Sequence, residues 1–144
     1  MSFKKEPFIV CDQSTQSKSL DPDTEITVLT VEVCVPQPQI TQVKLDSTVE
    51  IIRIPSTTFF FSQVDYRLYK NGMTLASQSD IASQDLTVIL PVNTIDALTW
   101  CDNNPDPGLN IYEIRMERIT NDEANISSVE ARTRGLNASV LFLK

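Results

Sequence analysis

Period-two alternation of apolar and polar residues runs through most of this chain, and no segment of convincing length replaces it with a helical period. From Ile26 to Val35 the apolar set is Leu29, Val31, Val33 and Val35, while Thr30 and Glu32 occupy the opposite face. From Val43 to Ile54, Val43, Leu45, Val49 and Ile51 share one face, and Lys44, Asp46, Thr48 and Glu50 share the other. From Asn110 to Ile119, Tyr112, Ile114 and Met116 alternate with Glu113, Arg115 and Glu117. Successive side chains of a strand point to opposite faces, so these runs predict half-buried antiparallel strands.

Asn71-Gly72 lies between Val64–Lys70 and the run from Met73 to Ala76. Both central residues of a type I′ turn need positive φ, which Asn and Gly tolerate, so this pair predicts a tight hairpin. Leu86 to Leu90 and Ile95 to Trp100 predict two more short strands, broken by Pro91 and Asn93. A strand from Ile126 to Arg132, a turn near Arg134-Gly135 and an apolar strand to Lys144 complete a set of eight or nine. That number in one 144-residue domain predicts an all-β, antiparallel jelly-roll sandwich with an N-terminal extension. An immunoglobulin sandwich fits less well. Cys34 and Cys101 have roughly its spacing, but the single Trp, Trp100, is adjacent to Cys101.

Composition narrows the function. The chain has no histidine, which removes the usual Ser and Cys triads, and it has no glycine-rich phosphate loop. The expectation is a protein that is not an enzyme and takes no cofactor and no metal. A net charge of −7 argues against nucleic acid and anionic membrane surfaces as partners. The apolar run near the N-terminus, Phe8-Ile-Val, is too short for a signal-peptide core, so synthesis in a cytoplasm is expected. One loop, Asp102-Asn-Asn-Pro-Asp106 through Glu113, spaces its oxygen side chains in a calcium-loop pattern. Pro107 stands where that loop needs glycine, and a proline-rich turn between strands explains the same residues. Sequons at Asn125 and Asn137 matter only in a secretory pathway.

Cys11, Cys34 and Cys101 are far apart and have no metal-ligand spacing. Two readings stay open: buried free thiols, or cross-links between subunits that meet oxidising conditions. Residues 1–20 are expected to form an arm or connector, and residues 21–144 the jelly-roll domain. Within the arm, Phe8, Ile9, Val10 and Cys11 form a short apolar strand before a polar Gln13–Ser19 stretch. It is either an ordinary first strand or a strand lent to a neighbouring subunit's sheet edge. Phe59-Phe-Phe61 is either core plus a turn after Pro55 or an exposed patch.

Four stretches, Val43–Glu50, Asp65–Gly72, Asn110–Arg115 and Arg134–Leu141, together resemble the exosporium protein C-like proteins of spore-forming Firmicutes. Those proteins are similar in style to endospore appendage subunits. The resemblance covers about residues 20–144. It implies a small jelly-roll subunit, made in the mother-cell cytoplasm, that assembles with itself and other spore-surface proteins in the exosporium or a fibre. It also implies N-terminal connectors that reach into neighbouring subunits, with Cys11, Cys34 and Cys101 as candidates for intersubunit disulfides. The alternative is a compact homotrimeric binding head of the tumour-necrosis-factor or C1q style, such as an adhesin or tail-fibre tip. A phage capsid or tail accessory jelly roll is a third.

Overall fold

The computed structural model describes residues 6–143. Its strands are β1 (Phe8–Ser14), β2 (Lys18–Ser19), β3 (Glu25–Val35), β4 (Thr41–Pro55), β5 (Phe59–Lys70), β6 (Met73–Asp85), β7 (Val92–Asp102), β8 (Gly108–Ala124) and β9 (Ile126–Phe142). They form two antiparallel sheets, one in the order β1-β9-β4-β7 with β2 also on β9, the other β3-β8-β5-β6. β2 pairs with β9 just beyond β1, so β1 and β2 are two parts of one strand bent at residues 15–17. Lettering the resulting eight strands B to I in chain order gives B-I-D-G facing C-H-E-F. That is the interleaved double Greek key of a jelly roll.

The alternation places the core where the sequence put it. Val31, Val33, Val43, Leu45, Val49, Ile51, Tyr112, Ile114, Met116, Leu136, Ala138 and Val140 are all buried between the sheets. The hairpin is also as expected: Asn71 has φ 49° and Gly72 φ 82°.

Three expectations change. Leu86 to Leu90 is not a strand: it lies in the loop between β6 and β7, with Val88, Ile89 and Leu90 exposed. That loop crosses from one sheet to the other, so its β-forming residues have no strand to pair with. No turn occurs at Arg134-Gly135; β9 passes through these residues, with a bulge that sets residues 132–133 against Glu50 alone. The described residues before 20 also do not stand apart from the sandwich. Phe8–Ser14 pairs along β9 of its own chain, and Val10 packs against the core. The expected connector is the first strand of this chain's own sandwich. Residues 1–5 of that connector, and Lys144, lie outside the described residues.

Candidate functional site

The features most open to other molecules are the sheet edges. β1 and β7 bound one sheet, and β3 and β6 bound the other. Along its outer side an edge strand has unpaired N–H and C=O groups, a template for another strand. On one side of the sandwich β1 and β3 lie together. There the Thr30 N–H donates to Asp12 Oδ2 at 2.9 Å, and Lys18 Nζ donates to the Thr27 carbonyl at 3.0 Å. β6 and β7 form the other side.

All three cysteines are exposed, which overturns the buried-thiol reading, and all are free within the chain. Each sits on an edge strand with its side chain outward: Cys11 on β1, Cys34 on β3 and Cys101 on β7. Cys11 aligns across its sheet with Asn137, Asp46 and Thr99, whereas Cys101 aligns with Lys44, Ser139 and Ile9. Three interstrand spacings separate β1 from β7, roughly 14 Å. A disulfide needs Cα atoms about 4.4–6.8 Å apart, so these two cannot pair within one chain. Beside Cys11, Phe8 is 43% and Ile9 66% exposed. The Phe8 ring also lies 6.2 Å from that of Phe142. The Phe59–Phe61 triplet divides by strand parity: Phe60 is fully buried, Phe59 exposed and Phe61 half-buried.

The Asp102–Glu113 loop holds an ammonium group where the spacing suggested calcium. Lys70 Nζ lies 2.9 Å from Asp102 Oδ2 and donates to the Asn104 carbonyl at 2.8 Å. The Tyr112 hydroxyl donates to the same Asp102 oxygen at 2.6 Å. Burial and the Asp102 carboxylate push the Tyr112 phenol far above its ordinary range. Asn110, fully buried, closes the loop through its amide and the main chain of Asp106 and Gly108. Among the described residues no group of three or more acidic or cysteine side chains is placed to hold a metal ion.

Two of the buried arginines organise the sides of the sandwich. Arg134 stands where three irregularities meet: the β1–β2 bend, a bulge at Val28 of β3 and the bulge in β9. Its Nε donates to the Val28 carbonyl at 2.9 Å, and its Nη1 donates to the carbonyls of Gln16 at 2.6 Å and Arg132 at 2.9 Å. These are main-chain acceptors released from the ladder by the bend and bulges, and burial lowers the pKa of the guanidinium. On the other side Arg53 of β4 is completely buried. Its Nε donates to Ser62 Oγ of β5, its Nη1 to Thr94 Oγ1 of β7, and its Nη2 to the main chain and carboxylate of Asp80 on β6. The sequence carried a signal for both. Each falls on the apolar parity of its strand, Arg53 in step with Val49 and Ile51, and Arg134 in step with Leu136 and Ala138.

No family model matches the chain, and no curated protein matches it. Solved structures do. The chain is similar to the T13 IBDV viral particle, with TM-score 0.51 and 14% identity over 93% of this chain and 31% of that one. The likeness is one of fold. Also similar are the infectious bursal disease virus Gx strain structure (TM-score 0.49, 12% identity, 94% of this chain and 32% of that one) and its VP2 subviral particle (TM-score 0.46, 11% identity, 92% and 32%). The chain spans about a third of the length of each of these neighbours.

Proposed function

We propose that this chain is a non-enzymatic structural subunit that assembles with copies of itself through its free jelly-roll edges. The observation that carries this reading is the placement of β1 and β7. They are opposite edges of one sheet, and each displays a free, outward-facing thiol near an exposed apolar residue: Ile9 by Cys11 on β1 and Trp100 by Cys101 on β7. The chain of antiparallel pairings makes β1 and β7 run in opposite directions. A copy displaced by one sheet width therefore lays its β1 antiparallel to the β7 of the copy before it, a head-to-tail contact that can repeat without closing. Ile9 shares a row with Cys101, so a slide of two residues along the strand sets Cys11 opposite Cys101. Opposed residues in an antiparallel pair have Cα atoms about 4.5–5.5 Å apart, within disulfide range. Thiolate exchange with a small-molecule disulfide then joins the two sulfurs and releases two small thiols.

The edge contact is weak by itself. Ile9 is 66% exposed, and covering it contributes about 1–2 kcal/mol before ordering costs. Repetition and the covalent bond supply durability. The setting is the surface of a bacterial endospore, in the exosporium or a projecting fibre. Support for it comes from the resemblance of the stretches on β4, the β5–β6 hairpin, β8 and β9. The same fold class builds a subunit of the T13 IBDV particle, which suits a structural role.

Size-exclusion chromatography with light scattering, with and without reductant, tests the reading. Multimers are expected without reductant, with a Cys11–Cys101 cross-linked peptide in their digest. Cys11→Ser with Cys101→Ser should abolish that peptide, and Ile9→Lys should reduce non-covalent association by putting a charge on the edge. A wild-type chain that stays monomeric at every concentration and redox condition refutes the proposal.

A further inference from the structure

The β6/β7 side of the sandwich contains a carboxyl pair that its structural role does not require. β6 and β7 are edge strands of different sheets, and one side-chain cluster bridges them. Asp80 of β6 and Asp96 of β7 both point inward, in step with buried Val64 and Val49 respectively. The Asp80 side chain is 9% exposed and receives the Arg53 guanidinium at 2.7 Å. Asp80 and Asp96 lie within hydrogen-bonding reach of each other. Yet Asp96 Oδ2 is buried without a hydrogen-bond partner, because two carboxylates are both acceptors. A single proton supplies the missing donor.

The charge count agrees. The groups facing the pair are Arg53 from β4 and Tyr66 from β5, with the Thr94 hydroxyl beside Asp80, while Ser62 accepts from Arg53. One guanidinium balances one carboxylate. A second carboxylate leaves a net negative charge between the sheets, and like charges sharing one site cannot both ionise at the ordinary pH. We propose that Asp80 and Asp96 share one proton and form a proton-operated clasp: protonated, it holds the β6 and β7 edges together, and deprotonated, it lets that side open. Opening would part the two edge strands from each other and loosen the loop that joins them, residues 86–91. The clasp is independent of the assembly reading.

Burial, then the hydrogen bond and charge of Asp80, raise Asp96 to about 7, whereas for Asp80 burial is outweighed by the hydrogen bond with Asp96 and the charge of Arg53, which lower it. A carboxyl whose pKa is raised in the closed form keeps its proton where the open form has already lost it. The clasp therefore weakens as pH rises from the ordinary carboxylate range to neutrality, then levels off.

Two measurements on the full chain test this. The first is a ¹³C-detected NMR titration of the aspartate carboxyls. Asp96 should show a midpoint near neutrality, and a midpoint below about 6 overturns the clasp. The second is hydrogen–deuterium exchange of residues 73–102, corrected for intrinsic rate. Protection should fall by about tenfold per pH unit between roughly pH 5 and 7, then flatten. Asp96→Asn should abolish that slope, whereas Asp46→Asn on the outer face of β4 should preserve it. A wild-type slope of zero, or a slope that survives in Asp96→Asn, refutes the proposal. Should Asp96→Asn fail to fold, the wild-type titration decides alone.

Discussion

Replacing Arg134 with methionine tests whether the guanidinium holds the bent side of the jelly roll. Met keeps most of the apolar stem and removes every donor. The Val28 carbonyl accepts from Nε in a buried bond, and without it a bulge acceptor is left unsatisfied at about 1–3 kcal/mol. The Gln16 and Arg132 carbonyls belong to exposed residues and can be rehydrated, so their loss costs about 0.5 kcal/mol each. Removing the charge recovers a small part, because burial already disfavours it. The net is a loss of about 2–4 kcal/mol, a large share of the roughly 5–15 kcal/mol typical of a domain. The assay is urea unfolding followed by tryptophan fluorescence, with the m-value held as a check on two-state behaviour. Arg134→Lys should recover part of the loss, since one ammonium cannot reach three diverging carbonyls at once. If Arg134→Met unfolds within about 0.5 kcal/mol of wild type, the carbonyls were never dependent on the arginine and the reasoning fails.

Other outcomes follow from the same geometry. Lys70→Met leaves the Asp102 carboxylate buried without its counter-ion and should destabilise by about 3–5 kcal/mol in the same unfolding assay. Added calcium should not restore it, and rescue by calcium would revive the calcium-loop reading. Gly72→Ala should cost only about 1 kcal/mol, because its φ is +82° but an added Cβ meets no atom within 4 Å. A much larger loss would mean that atoms crowd the hairpin turn. Acid should also weaken the fold. The Arg115 hydrogen bond holds Glu113 low, and for Glu25, hydrogen bonds from Tyr69 and Arg67 outweigh burial. Groups with lowered pKa contribute stability above their unfolded value and lose it as pH falls through the folded one. The melting temperature should therefore drop below about pH 4, and Arg67→Gln should blunt that drop.

The strands with one clean apolar face, β3, β4 and β8, were legible because alternation is a direct record of which face is buried. The Asn71-Gly72 turn was legible because few residues accept two successive positive φ values. Connectivity between the sheets was not. Leu86 to Leu90 has strand composition, but a segment that crosses from one sheet to the other has no neighbour to pair with, and only topology reveals that. Gly135 suggested a turn, whereas the guanidinium of Arg134 absorbs the bulge and lets β9 continue. The first strand resembled a free arm because only Val10 and its two polar neighbours in step face the core. Cys11, Cys34 and Cys101 were visible as residues, but their common place on outward edge positions emerges only when strand order is known. Arg53 and Asp96 could have been flagged as charges on apolar parity, whereas Asp80 is in step with Gln78 and Gln84 and carries no such signal. What joins them is the meeting of β4, β5, β6 and β7, which no local pattern encodes.

The central claim, that copies of this chain join through their sheet edges, is tested most directly by negative-stain electron microscopy of the purified full-length protein without reductant. Fibres or regular arrays with a repeat near one domain width are predicted. Uniform compact particles, or isolated monomers at every concentration, would contradict it.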